Sequence, residues 1–234
     1  METKIQNNII YFFALLLVTS FLGFYNTYLI HFPTFEEFNM SHHFHGAMSL
    51  SWILLLISQA YLIRVKNYKL HRSIGKLSYV IMPLFLISLF FVSKTGYYRV
   101  LATQGEVEAI AGTSLSIPDL IYMTLFYTLA MVYRKNVHHH MRYMIFTGMS
   151  MIGPGLVRYL ITGLGVPFEI GLASLGISML SISILWLIAD IRNKKSPIPL
   201  IMFIGVNLLV VFCQATNHDA WYQTAAGWVI KTFY

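Results

Sequence analysis

The sequence predicts an all-α polytopic membrane protein, a bundle of seven transmembrane helices with a cytoplasmic N-terminus and an outside C-terminus. Three observations lead there. The 234-residue chain is 57% hydrophobic and only 11% charged, whereas soluble domains are nearer a quarter charged. Seven stretches are apolar over about the 20 residues needed to cross a hydrocarbon core of about 30 Å. The basic loops follow every second stretch, so all fall on one side, which the positive-inside rule assigns to the cytoplasm.

The first span, about 9–30, follows "METKIQNN". It is too long for the apolar core of a signal peptide and reads as an uncleaved span. Spans two (45–64) and three (73–93) are joined by the basic "RVKNYKLHR". Spans four (117–133) and five (142–163) are joined by "RKNVHHHMR", and six (168–189) and seven (197–215) by "DIRNKKS". The intervening "HFPTFEEFNMSHHFHG" and "KTGYYRVLATQGEVEAIAGT" are mixed or acidic. The runs are continuously apolar, without the period of two that a β-barrel needs. The tail, 217–234, spaces Trp221, Ala225 and Trp228 along one helical face and is expected at the outer interface.

Lys and Arg outnumber the acids 16 to 9, but the excess sits in short loops and leaves no basic face for nucleic acid. Cys213 is the only cysteine, which excludes an internal disulfide or a thiolate cluster. No Walker or dinucleotide fingerprint, no His-Glu-x-x-His and no serine nucleophile elbow occurs. The expected partner is the lipid bilayer, in a cytoplasmic membrane, with a quinone or other redox partner if a redox cofactor is bound.

The histidines divide by side. His71, His138, His139 and His140 belong to the cytoplasmic loops; His31, His42, His43, His45 and His218 belong to the outer side. Imidazole is a common ligand for haem iron and transition metals, and bis-histidine haem needs one ring from each of two facing helices. "KNYKLH" (66–71) and "KNVHHH" (135–140) form a short repeat that pairs His71 with His140, each Asn being a potential helix cap. His31, His42, His43 and His138 read as helix-end fillers. His45 is followed by Gly46, which would let a flat macrocycle or another helix approach.

Arg72 and Arg142 are candidates to hold haem propionates, or else lipid phosphates. Arg158 lies about 16 residues and so about 24 Å beyond Arg142 in span five, where a charge faces a polar cavity or snorkels outward. With Asp119, His45 and His218 it could form one outer polar site, and Pro154 would bend the helix beside it. Gln59 either hydrogen-bonds across helices or polarises a cofactor or quinone.

His45-Gly46, Gln59, His71-Arg72-x-x-Gly75, and His139-x-Met141-Arg142 followed by Arg158 resemble the pattern of a group of uncharacterised bacterial multi-pass membrane proteins, over roughly residues 42–160. The two-sided histidines are distantly similar to transmembrane di-haem cytochrome b proteins. That likeness implies haem b, ligated outside by His45 with His218 and inside by His71 with His140 or His139. Seven spans with Ser41-x-x-x-His45 also resemble membrane hydrolases of the adiponectin-receptor and alkaline-ceramidase type, implying a metal site. Three readings therefore stand: haem-b-dependent electron transfer or redox sensing, a zinc-dependent hydrolase or lipid-modifying enzyme built on His45, Asp119 and His218, or a transporter or assembly protein without cofactor.

Overall fold

The structure is a computed structural model and describes residues 2–234. Seven helical spans long and apolar enough to cross a membrane account for most of it, and no strand occurs among the described residues. The chain is a multi-pass membrane protein.

Helix α1 (Glu2–Tyr25) is followed by a loop and α2 (Met40–Arg64). Asn39 starts α2 through a reciprocal capping box with His42, so His42 is spent on closing the helix end. His43 meets the Tyr28 hydroxyl at 2.5 Å, and the His31 ring lies edge-on to Phe38. All three outer histidines make local contacts, to the start of α2 or to the aromatic loop before it.

The short amphipathic α3 (Tyr68–Gly75) lies between α2 and α4 (Ser78–Gln104). At 27 residues α4 is about 40 Å long. Gly105, at φ 93°, turns the chain into α5 (Glu106–Gly112), and α6 (Ser116–Val132) completes span four. Span five is α7 (Val137–Ser150) and α8 (Ile152–Leu164), interrupted at Met151 just before Pro154. Then come α9 (Phe168–Arg192), α10 (Ile198–Ala215) and α11 (Ala220–Phe233).

The helices close a ring. Helix α2 packs against α1 and α4, α8 against α1 and α9, α10 against α9 and α7, and α6 against α7 and α4. Helix α7 runs nearest the centre: Arg142, Tyr143, Ile145, Phe146, Thr147, Gly148 and Met149 are all buried. Its Phe146 stacks close to Phe203 of α10, with centroids 4.2 Å apart, and Phe126 of α6 completes the aromatic core. Outward-facing Ile121, Val132, Ile177 and Leu185 remain exposed, as expected where lipid tails replace protein.

The C-terminal tail is a helix, and it has a protein partner. Tyr222, Ala226 and Ile230 of α11 pack with Ala109 and Ile110 of α5 and Tyr97 of α4. The hydroxyl of Tyr234 bonds Ser93. The opposite face, carrying Trp221 and Trp228, stays exposed. Amphipathicity thus serves two surfaces, one against protein and one facing outward.

Candidate functional site

Two matching helix starts build the basic end of the bundle. Asn67 caps α3 by accepting from Leu70 N at 3.1 Å, and Asn136 caps α7 by accepting from His139 N at 3.2 Å. The same asparagines' backbone carbonyls accept from His71 N at 3.0 Å and His140 N at 2.9 Å. Both histidines of the Lys-Asn-x-x-x-His repeat therefore occupy the same position in the first turn of an Asn-capped helix. This geometry brings them within electrostatic reach of each other.

The rings are prepared differently. His140 Nδ1–H donates to the Ala130 carbonyl at 2.8 Å, which leaves the lone pair of the neutral ring on Nε2. His71 Nδ1 is buried without a hydrogen-bond partner. Burial holds the His71 pKa below its ordinary value, His140 and Arg72 push the same way, and the Gln59 carbonyl opposes them. At neutral pH both rings can offer a lone pair.

Gln59 belongs to the same corner. A Cβ placed on Gly75 would meet its Oε1 at 3.2 Å, and its Nε2 is buried without a partner. The sequence offered two roles for Gln59, a cross-helix hydrogen bond or a cofactor contact. Its amide has been carried to α3, yet its donor is unsatisfied beside an unsatisfied imidazole. Buried polar atoms in folded proteins are rarely left so, and Trp52 Nε1, His139 Nδ1 and Trp186 Nε1 share that state.

A pH prediction follows. Because the native pKa of His71 lies below the ordinary 6.5, the unfolded chain binds its proton first as pH falls. The stability penalty is absent well above 6.5 and grows as pH drops below it. The His71→Asn variant should lose less melting temperature than wild type between pH 7.5 and about pH 5. Parallel melting curves would show that His71 carries no such linkage.

The other two members of the triplet are engaged elsewhere. His138 Nε2 bonds the Ser196 carbonyl at 3.0 Å. His139 stacks on Tyr133 with centroids 5.0 Å apart, and its Nε2 lies 3.4 Å from the Ser196 hydroxyl. Of His140 and His139, it is His140 whose charge is felt at His71.

Arg142, expected at haem propionates, turns inward. Its Nε and Nη2 donate to the two carboxylate oxygens of Asp190 at 2.7 and 2.6 Å, with both side chains fully buried. Its guanidinium also lies 5.3 Å from the Trp186 ring centroid. Of the two arginines expected there, only Arg72 is exposed. Asp190 was missed because it opens the basic stretch "DIRNKKS" and reads as loop. Its signal was available: it is the one acid in that stretch, beside the end of a span whose neighbour carries an arginine.

At the opposite end, Ser88 Oγ donates to the Phe85 carbonyl at 2.7 Å and accepts from His45 Nδ1–H at 3.1 Å. His45 Nε2 therefore keeps its lone pair, with the Ser49 hydroxyl at 3.5 Å. The charges of Arg158 and His42 reach His45. Arg158 itself is exposed, its guanidinium 4.7 Å from the Phe24 ring centroid. No atom lies within 4 Å of where a Cβ on Gly46 would stand, so no neighbouring helix uses that glycine for close approach.

His218 has a different partner. Its Nε2 lies 3.2 Å from both carboxylate oxygens of Glu108, on a surface where the two side chains are 55% and 49% exposed. Asp119 lies near Tyr122 on α6. The structure thus brings His45 and Arg158 into electrostatic range but gives His218 to α5. Among the described residues, no group of three or more His, Cys, Asp or Glu side chains is placed to hold a metal ion.

No protein-family model matches the chain, and no curated protein or solved structure matches it.

Proposed function

We propose that the chain binds haem b between His71 and His140 and works in transmembrane electron transfer or redox sensing. The carrying observation is that His71 and His140, each in the first turn of an Asn-capped helix, lie within electrostatic range of one another, with His71 Nδ1 buried and unpartnered. Two ligands suffice for haem because the macrocycle supplies the other four nitrogens. A structural or catalytic zinc takes three or four protein ligands. This favours haem over the zinc site of His45, Asp119 and His218.

Haem would supply one-electron chemistry; the chain's own groups prepare its place. Ala130 fixes the His140 tautomer, burial keeps His71 neutral, and the Gln59 amide offers a donor at the rim. Arg72, at the exposed edge, would meet the propionates. His45, its ring oriented by Ser88, is the candidate ligand or electron exit at the opposite end, with a quinone or a redox protein as partner. The basic loops support a cytoplasmic N-terminus and an outside C-terminus, in the cytoplasmic membrane of a bacterium.

The test is a dithionite-reduced minus oxidised spectrum of the purified full chain. Haem bands should appear in wild type, be lost in His71→Ala and His140→Ala, and persist in His138→Ala and His218→Ala. A wild-type spectrum without haem bands, from protein purified with haem supplied during expression, would sink the proposal.

A further inference from the structure

A groove of about 560 Å³ lies at the basic end, between the start of α4 and the end of α6. Tyr79, Tyr127, Met131 and Val132 form its apolar wall, and Arg134 and Lys135 stand at its mouth. The position of the mouth is fixed from both sides. Arg134 Nη1 donates to the Tyr79 hydroxyl at 3.2 Å, bridging the turn after α6 to α4. At the base, the Tyr127 hydroxyl donates to Ser78 Oγ at 3.1 Å, so the wall cannot swing away without losing a bond.

We infer that this groove seats one anionic phospholipid, its phosphate against Arg134 and Lys135 and one acyl chain along Tyr127, Met131 and Val132. Three features select that occupant. The groove is lined by the exposed Tyr79, Thr128 and Val132, on spans whose exposed residues include Val80, Leu84 and Ile121, so a lipid chain can reach it. Its only charges are two cations, both at the level where a span ends and lipid phosphates lie. Its wall offers no carboxylate and no second charge that would suit a zwitterion or a soluble polar ligand. Basic pockets between spans on the positively flanked side are sites of this chemistry. The inference does not depend on haem.

Native mass spectrometry of the full chain in detergent, titrated with phosphatidylglycerol or with phosphatidylcholine of matched acyl chains, tests it. One saturable phosphatidylglycerol site should appear, about tenfold tighter than any phosphatidylcholine binding. The double variant Arg134→Ala/Lys135→Ala should weaken phosphatidylglycerol about 10- to 30-fold, since each cation near such a headgroup contributes about a fivefold factor. Thr128→Trp, on a groove-lining exposed residue, should weaken it while leaving the charges intact. Lys69→Ala/Arg72→Ala removes the same charge from the neighbouring basic helix and should change little. The inference is overturned if the two lipids bind alike, if the Lys69/Arg72 variant loses as much as the Arg134/Lys135 variant, or if millimolar inorganic phosphate displaces the lipid. The last result would mark a soluble phosphate site. All variants replace exposed residues, and a melting curve for each separates lost binding from lost fold.

Discussion

Arg142→Ala and Asp190→Ala should each cost about 3–5 kcal/mol and leave little folded protein in detergent. In contrast, the double variant Arg142→Met/Asp190→Leu should fold nearly as well as wild type. The asymmetry comes from burial. Both side chains are fully excluded from solvent and meet through two charge-assisted hydrogen bonds at 2.6 and 2.7 Å. Removing one partner strands the other charge where neither water nor lipid can solvate it. Removing both takes away the desolvation cost together with the attraction. Arg142→Lys should be nearly as damaging as alanine, because an ammonium cannot reproduce the planar fork that matches the carboxylate. Detergent-resistant folded fraction by size exclusion, with melting temperature, reads all four variants. A double variant no better than the worse single would show that the pair's further contacts, such as Arg142 with His138 and Trp186, dominate instead.

That pair also shows where sequence reading runs out. Continuous apolarity made the seven spans legible, because lipid demands it along each crossing. The edges were less legible where a helix continues through polar residues. Span three was expected at 73–93, yet the spanning helix begins at Ser78, after the separate α3 has ended at Gly75. Span four was expected from 117, but helix already begins at Glu106. Its acidic first turn lies past the Gly105 turn and is stabilised by packing on α4 and α11 rather than by apolarity.

The matching helix starts before His71 and His140 were legible because the repeat encodes a local device, an Asn cap followed by His in the first turn. Local devices survive into structure at fixed spacing. Asp190 and the Gln59–Gly75 contact were not legible, since they depend on which helices become neighbours. The separation of His218 from His45 has the same origin: α11 docks on α5, and that docking hands His218 to Glu108.

The crossing of α1 and α8 should be the least tolerant place in the bundle. A Cβ on Gly23 would lie 1.9 Å from the Gly155 carbonyl oxygen, and one on Gly155 would lie 2.8 Å from the Thr19 carbonyl oxygen. These obstacles are backbone atoms, which cannot rotate aside as a side chain can. Two glycines let the helices touch backbone to backbone, the close approach that small residues permit between membrane helices. Gly23→Ala should therefore force α1 away from α8 and lower stability by about 1–3 kcal/mol, the usual range for overpacking, and Gly23→Leu by more. Gly96, inside α4, supplies the control, because no atom lies within 4 Å of its prospective Cβ. There the substitution should act with the opposite sign, since glycine in a helix interior is about 0.5–1 kcal/mol worse than alanine. Melting temperatures of Gly23→Ala, Gly155→Ala and Gly96→Ala in one detergent decide the matter. The first two should fall below wild type and the third should match or exceed it. If all three rise together, helix propensity outweighs packing, and α1 and α8 do not meet as closely as the structure places them.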